Sequence, residues 1–242
     1  MHKNIEWLIK RPIAHRGLHK GIAIPENSLT AFEEALKSDY PIELDIQITK
    51  DGSIIVFHDD NLLRMTGNEL KVKNLTKNNL SKFHLYQTEQ KIPLLEEVLN
   101  LIDCRIPILI EIKNEGLPGK IELNTLKILQ NYKGEFAIQS FNPLTIAFIR
   151  FLNKNIVRGL LLTREDQKDL SFFKKLIINE NFALSLCKPD FAAYDIEYLD
   201  EKTSAKIKKR NIPLITWTVK KENQLIKAKN LAENVIFENI IP

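Results

Sequence analysis

Cysteine is almost absent: 242 residues hold only Cys104 and Cys187, with no CxxC and no histidine beside either. That excludes a disulfide framework and a thiolate zinc site, and it suits a reduced, cytoplasmic setting. Glycine is sparse too, at eight residues, and none of them builds a GxGxxG or Walker phosphate loop. With only ten prolines as well, the chain is neither collagenous nor of low complexity. No apolar run approaches the roughly 20 residues of a membrane-spanning helix. Near the start, Glu6 interrupts Ile5, Trp7, Leu8 and Ile9, so no secretion signal is expected there. Charge is not clustered either. The formal net charge is +4, and the excess is lysine scattered along the chain, as on a solvated surface. The densest basic group, Lys206, Lys208, Lys209 and Arg210, falls on a predicted helix end, where cations sit well. It lacks the interleaved aromatics of a nucleic-acid surface. The expected partner is therefore a small molecule, with no nucleic acid and no stable membrane insertion. A mild positive field would draw in an anionic substrate. Oligomeric state is not legible.

What the chain does have is alternation. Short apolar runs predict strands over Pro12–Gly17, Ile42–Thr49, Ser53–His58, Ile106–Lys113, Glu135–Phe141, Ile156–Thr163, Phe191–Asp195 and Pro213–Val219. Amphipathic stretches predict helices over Leu29–Ser38, Leu94–Ile102, Ile121–Tyr132, Pro143–Asn153, Asp169–Glu180, Glu201–Arg210 and Glu222–Asn230. This βα order implies an α/β fold with a parallel sheet inside a layer of helices. Eight strands at roughly 30 residues per unit suit a (β/α)8 TIM barrel, which typically takes about 250 residues. The competitor, a doubly wound open sheet, would favour a glycine-rich phosphate loop after its first strand, and none is present. No linker divides the chain, so residues 1–242 read as one domain. Residues 59–91 are polar, rich in Asn and Lys, and too long for a βα loop. They read as a short insertion over the barrel mouth, after the third strand.

Strand periodicity places the charges. In Ile42-Glu43-Leu44-Asp45-Ile46-Gln47-Ile48 the aliphatic and polar residues alternate, so they occupy opposite faces. Glu111 and Lys113 likewise share one face of the run Ile108–Lys113. In a barrel the aliphatic face meets the helices and the polar face points to the axis. Buried carboxylates are costly unless paired or metal-bound. One solution is a divalent cation held by Glu43, Asp45 and Glu111, whose oxygen-only donors suit Mg2+ or Ca2+. The other is structural ion pairing with Arg16 and Lys113. His15 and His58 each end a predicted strand, where barrel enzymes place catalytic groups. Histidine exchanges protons near neutral pH, and displacement at phosphorus needs one group to take a proton and one to give it. His2, His19 and His84 read as surface residues.

The motifs extend this reading. His15-Arg16-Gly17, Pro25-Glu26-Asn27-Ser28, Glu43-Leu44-Asp45 with Thr49-Lys50-Asp51-Gly52, and His58-Asp59 with Leu62, Arg64 and Thr66 follow one another in order. Ile92-Pro93-Leu94-Leu95-Glu96-Glu97-Val98-Leu99, Glu111-Ile112-Lys113, Gln139-Ser140-Phe141 and Trp217-Thr218-Val219 come after them. In this the chain resembles the glycerophosphodiester phosphodiesterase family from residue 12 to about 220. The resemblance implies a TIM barrel that hydrolyses glycerophosphodiesters to sn-glycerol 3-phosphate and an alcohol, using one divalent cation. It implies His15 and His58 as the acid/base pair, Glu43, Asp45 and Glu111 as metal ligands, and Arg16 and Lys113 as phosphate contacts. Phe141 and Trp217 match aromatic positions near the pocket mouth, although Trp217 also suits plain packing. Glu26 and Asn27 match a motif close to the site, and Asn27, Ser28 or Thr30 also suit a cap for the following helix. Two departures stand out: Lys220 replaces an Asn after the Trp-Thr-Val motif, and Ala232–Pro242, which matches the family's closing strand, lacks its Gly and Asp. The rival readings are a lysophospholipase D, needing an apolar rim such as Leu62, Leu63 and Met65, and a silent barrel that only binds phosphorylated ligands.

Overall fold

The computed structural model describes residues 4–164 and 179–242. These form two compact units. One comprises Ala14–Asn114 and Pro118–Phe136. Its sheet is built on β1 (Ile13–Ala14), β2 (Ile42–Ile48), β3 (Ile54–Val56) and β4 (Ile108–Ile112). β1 and β4 run parallel to β2, on either side of it. β3 does not. It pairs antiparallel with β2, with Ile46 opposite Val56 and Ile48 opposite Ile54. Only residues 49–53 separate the two, and a parallel crossover needs a dozen or more. Gly52, at φ +88°, supplies the left-handed residue of that hairpin turn. The run Ser53–His58 is thus a hairpin arm and not one of the parallel barrel strands predicted from the sequence.

The helix Leu29–Lys37 in this unit starts at Ser28, whose Oγ accepts from the Ala31 amide at 3.2 Å. Of the three expected caps, Ser28 alone serves. Helices Leu29–Lys37 and Leu95–Ile102 pack on each other, and Lys120–Leu129 lies against β2 and β3. Residues 59–91 form short helical turns around their own apolar cluster, in which Leu62, Met65, Val72, Leu75, Leu80 and Leu85 pack on Ile55, Phe57, Ile92 and Leu94. Leu62 and Met65 are buried there, and only Leu63 of the three expected rim residues is open, at 50% exposure.

The other unit comprises Met1–Ile13, Glu115–Leu117 and Ala137–Pro242. Its strands β5 (Phe136–Ser140), β6 (Val157–Leu162), β7 (Phe191–Asp195), β8 (Leu214–Val219) and β9 (Asn234–Phe237) pair in succession, all parallel. β9 supplies a parallel strand that the predicted eight omitted. A helix at Glu6–Lys10, also unpredicted, buries Trp7 and Leu8 while Glu6 and Lys10 stay outside. Asn234 ties it to β9, donating to the carbonyls of Leu8 and Arg11 at 2.8 and 2.6 Å. The predicted helix Asp169–Glu180 lies outside the described residues apart from its last two. A helix at Glu180–Cys187 follows instead, capped by Asn179. The two departures noted in the sequence meet here. Lys220 Nζ lies 3.1 Å from Glu238 Oε2, so the residue replacing Asn pairs with an acid of the closing segment.

Candidate active site

The acidic group follows from register. Glu43 and Asp45 lie two residues apart on β2 and so share a face. Parallel pairing sets Asp45 beside Glu111 on β4. All three are buried, and one carboxylate oxygen from each lies within 4.8 Å of the others. Of the two arrangements open to a buried acid cluster, ion pairing is present for two of the acids. Lys113 Nζ ion-pairs with Asp45 Oδ1 at 3.0 Å and with Glu111 Oε1 at 2.5 Å. Arg16 Nε lies 3.1 Å from Asp45 Oδ2. Glu43 is treated differently. Its Oε2 accepts the Arg16 amide at 3.1 Å, and its buried Oε1 has no hydrogen-bond partner among the described residues. An orphaned carboxylate oxygen facing two further acids fits a hard cation, and the all-oxygen donor set suits one.

The protonation states separate accordingly. Burial opposes ionisation of Asp45, but the charges of Lys113 and Arg16 overcome it and hold its carboxyl well below the usual range. Burial and the neighbouring Asp45 and Glu111 push Glu43 well up. Burial raises Glu111 to about 7, against the pull of Lys113. Arg16 and Lys113 both lie above their ordinary values, because the carboxylates outweigh the burial of their charges.

Arg16 is held in place by its turn and by Glu26. Arg16 sits at φ +54° and Gly17 at φ +80°. A Cβ on Gly17 would stand 2.8 Å from the Ala31 backbone, so only glycine allows the turn to press on the next helix. Arg16 Nη1 donates to Glu26 Oε1 at 2.7 Å. Asn27 brackets Asp45: its Nδ2 donates to Oδ2 at 2.9 Å, and its Oδ1 accepts the Asp45 amide at 3.3 Å. Asn27 is thus a site residue and not a helix cap.

His15 follows β1, with Nε2 3.9 Å from Glu43 Oε2. His58 arrives by another route than the one expected. It lies two residues beyond β3, in a stretch that the Phe57 amide anchors to the Asp45 carbonyl at 2.9 Å. Gln47 Nε2 then donates to the carbonyls of Phe57, His58 and Asp59 at 3.0, 3.0 and 2.7 Å. His58 Nδ1 lies 2.7 Å from Asp59 Oδ1. Burial lowers the His58 pKa, despite the attraction of Asp45. Sequence reasoning gave Gln47 no role, although its place on the polar face of β2 was the available signal.

Phe141 and Trp217 lie in the other unit and touch each other, ring centroids 5.4 Å apart and near perpendicular. Trp217 Nε1 donates to the Ala193 carbonyl at 3.0 Å, while Phe141 remains 43% exposed.

Three buried carboxylates thus stand in one unit with His15, His58 and the partly buried Arg16 and Lys113. The family model described as the glycerophosphoryl diester phosphodiesterase family matches residues 15–239. The glycerophosphodiester phosphodiesterase of Caldanaerobacter subterraneus is 36% identical over 161 residues, covering 62% of this chain and 65% of that protein. The glycerophosphodiester phosphodiesterase of Bacillus subtilis is 27% identical over 253 residues, covering 94% of this chain and 82% of that protein. Among solved structures, an Oleispira antarctica phosphodiesterase in complex with the product sn-glycerol 3-phosphate matches with a TM-score of 0.81 at 21% identity, over 95% of this chain and 93% of that one. That likeness shows the (β/α)8-barrel fold. The chain belongs to the glycerophosphoryl diester phosphodiesterase family and is an enzyme of that class.

Proposed function

We propose that the protein hydrolyses glycerophosphodiesters to sn-glycerol 3-phosphate and an alcohol, with His15 and His58 moving the protons and Glu43, Asp45 and Glu111 holding Mg2+ or Ca2+. The reading rests on one observation above all: three buried acids gathered within 4.8 Å, with one oxygen left unpaired. A dication bound there would polarise a phosphoryl oxygen and offset its charge. The remaining work falls to the chain. Three carboxylates against Arg16 and Lys113 leave one negative charge when all are ionised. A dication reverses that to one positive charge, opposite to the single negative charge of a phosphodiester. Arg16 offers forked donors and Lys113 a point charge to the phosphate oxygens.

Hydrolysis forms one P–O bond and breaks another. The attacking oxygen loses a proton and the departing alcohol oxygen gains one. Asp59 accepts from His58 Nδ1, so His58 Nε2 is the atom that exchanges protons. Its lowered pKa leaves that nitrogen unprotonated at neutral pH, the state of a base. His15, beside Glu43, then serves as the acid. Phe141 and Trp217 form a partly exposed aromatic pair in the other unit. Leu62 and Met65 are buried, which removes most of the rim a lysophospholipid would need.

The test is a panel of glycerophosphodiesters assayed with Mg2+, with Ca2+ and with EDTA. Turnover of glycerophosphocholine that EDTA abolishes is the expected result. His15→Ala and His58→Ala should each lower kcat by about 10²–10⁴-fold in folded protein. Near-full activity in either variant would overturn the histidine assignment, and activity surviving EDTA would overturn the cation.

A further inference from the structure

Arg64 lies outside the acidic trio, on the turn Leu63–Thr66, yet it forks twice toward the site. Its Nε and Nη2 meet Asp59 Oδ2 and Oδ1 at 2.7 and 3.0 Å. Its Nη1 and Nη2 meet Glu26 Oε2 and Oε1 at 3.0 and 2.7 Å. The Tyr86 hydroxyl accepts from Nη1 at 3.1 Å, from the far side of the insertion. A planar guanidinium is the one side chain that can serve two carboxylates in this way. Asp59 Oδ1 in turn lies 2.7 Å from His58 Nδ1. An ionised carboxylate only accepts, so Nδ1 carries the hydrogen and Nε2 the lone pair.

The two forks differ in what depends on them. Glu26 keeps Arg16 as a second cation at 2.7 Å. Asp59 has no cationic partner besides Arg64 and His58 among the described residues. Losing Arg64 therefore frees Asp59 more than it frees Glu26.

We infer that Arg64 is a positioning residue, which clamps Asp59 so that His58 stays in the Nδ1–H form with Nε2 as its proton-exchanging atom. The inference rests on the reading of His58 as a proton carrier, and it couples the insertion, through Arg64 and Tyr86, to that histidine.

The test uses the full chain with Mg2+ and glycerophosphocholine, and the variants Arg64→Met, Arg64→Lys, Asp59→Asn and the Arg64→Met/Asp59→Asn double. Arg64→Met and Asp59→Asn should each lower kcat by about 10–100-fold, the usual loss for a partner that orients a functional histidine, with KM nearly unchanged. The double variant should be no worse than the poorer single one. Arg64→Lys should recover little, because an ammonium cannot fork. Ring ¹⁵N spectra, with His58 assigned by its absence in His58→Ala, should show a single Nδ1–H tautomer in the wild type and a mixture in Arg64→Met. Multiplying losses in the double variant would overturn the inference, as would an unchanged tautomer. A raised KM with unchanged kcat would also overturn it, placing Arg64 behind Arg16 through Glu26 instead. Should Arg64→Met fail to fold, Arg64→Lys and Asp59→Asn carry the same comparison. A wild type inactive on every diester would sink the proposed activity alone, and the ring spectra would still decide whether Arg64 holds the tautomer.

Discussion

Glu111 offers a test of the acidic cluster that requires no turnover. Its carboxyl ionises at an ordinary 4.5 in the open chain and at about 7 in the fold, where burial opposes its charge. A carboxyl whose folded value is raised binds its proton more tightly when folded. Its contribution is complete below pH 4.5 and is lost as pH rises toward 7. Over that span the loss is about 3 kcal/mol. Other groups titrate in the same range: the lowered value of His58 makes stability rise with pH below 6.5. The informative quantity is therefore the difference between wild type and Glu111→Gln, measured by urea unfolding in excess EDTA at several pH values. Wild type should lose about 3 kcal/mol relative to Glu111→Gln between about pH 4.5 and 7.5. Glu43, also pushed up, changes the difference in the same direction. Saturating Mg2+ or Ca2+ should stabilise the wild type increasingly as pH rises, because a cation needs the ionised carboxylates. Parallel stability curves for the two proteins in EDTA would refute the electrostatic reasoning, and with it the case for a site awaiting a cation.

Other consequences are more local. Gly17→Ala should lower stability by about 1–3 kcal/mol and impair activity, since the new methyl group meets the Ala31 backbone at 2.8 Å at a left-handed residue; thermal unfolding and kcat would show it. Gln47→Leu removes the donor shared by three carbonyls before and after His58 and should reduce kcat more than it raises KM, as steady-state kinetics would report. Asn27→Ala strips a buried Asp45 of two hydrogen bonds, and a loss of about 1–3 kcal/mol is expected in chemical unfolding.

How far the sequence reaches depends on the range of each signal. Alternation along Ile42–Ile48 is local, and by itself it puts Glu43 and Asp45 on one face. The partnership of Asp45 with Glu111 is a matter of register between strands about sixty residues apart, which periodicity does not encode. The strand Ser53–His58 resembles its parallel neighbours because a short apolar run is the same in either direction. The five-residue connection before it is the sign of a hairpin. Periodicity misses β9, which only the resemblance to the family's closing strand marks, because Glu233 and Asn234 break its apolar pattern; Asn234 binds the N-terminal helix. The motif containing Asn27 and Ser28 sets two plausible caps side by side, and only the folded arrangement separates the cap from the residue that holds Asp45. Nothing local ties Arg64 to Glu26, which stands 38 positions earlier.

The three acids are not equivalent, and their differences bear on what the site is for. The Asp45 carboxylate receives Lys113, Arg16 and the Asn27 Nδ2, so its charge is compensated by the chain itself. Glu111 shares Lys113 with it, and among the described residues Glu43 has a backbone amide and a histidine 3.9 Å away. A core shaped for stability alone would replace such a pair with apolar side chains, because buried acids with incomplete compensation destabilise the fold. Complete compensation by lysine and arginine would also have been possible, as at Asp45. What stands instead is three acids against two cationic side chains, a cluster that under the proposed function a dication would complete. With that ion the cluster would carry a net positive charge beside Arg16 and Lys113, the electrostatic condition that the proposed binding of a phosphodiester between His15 and His58 requires.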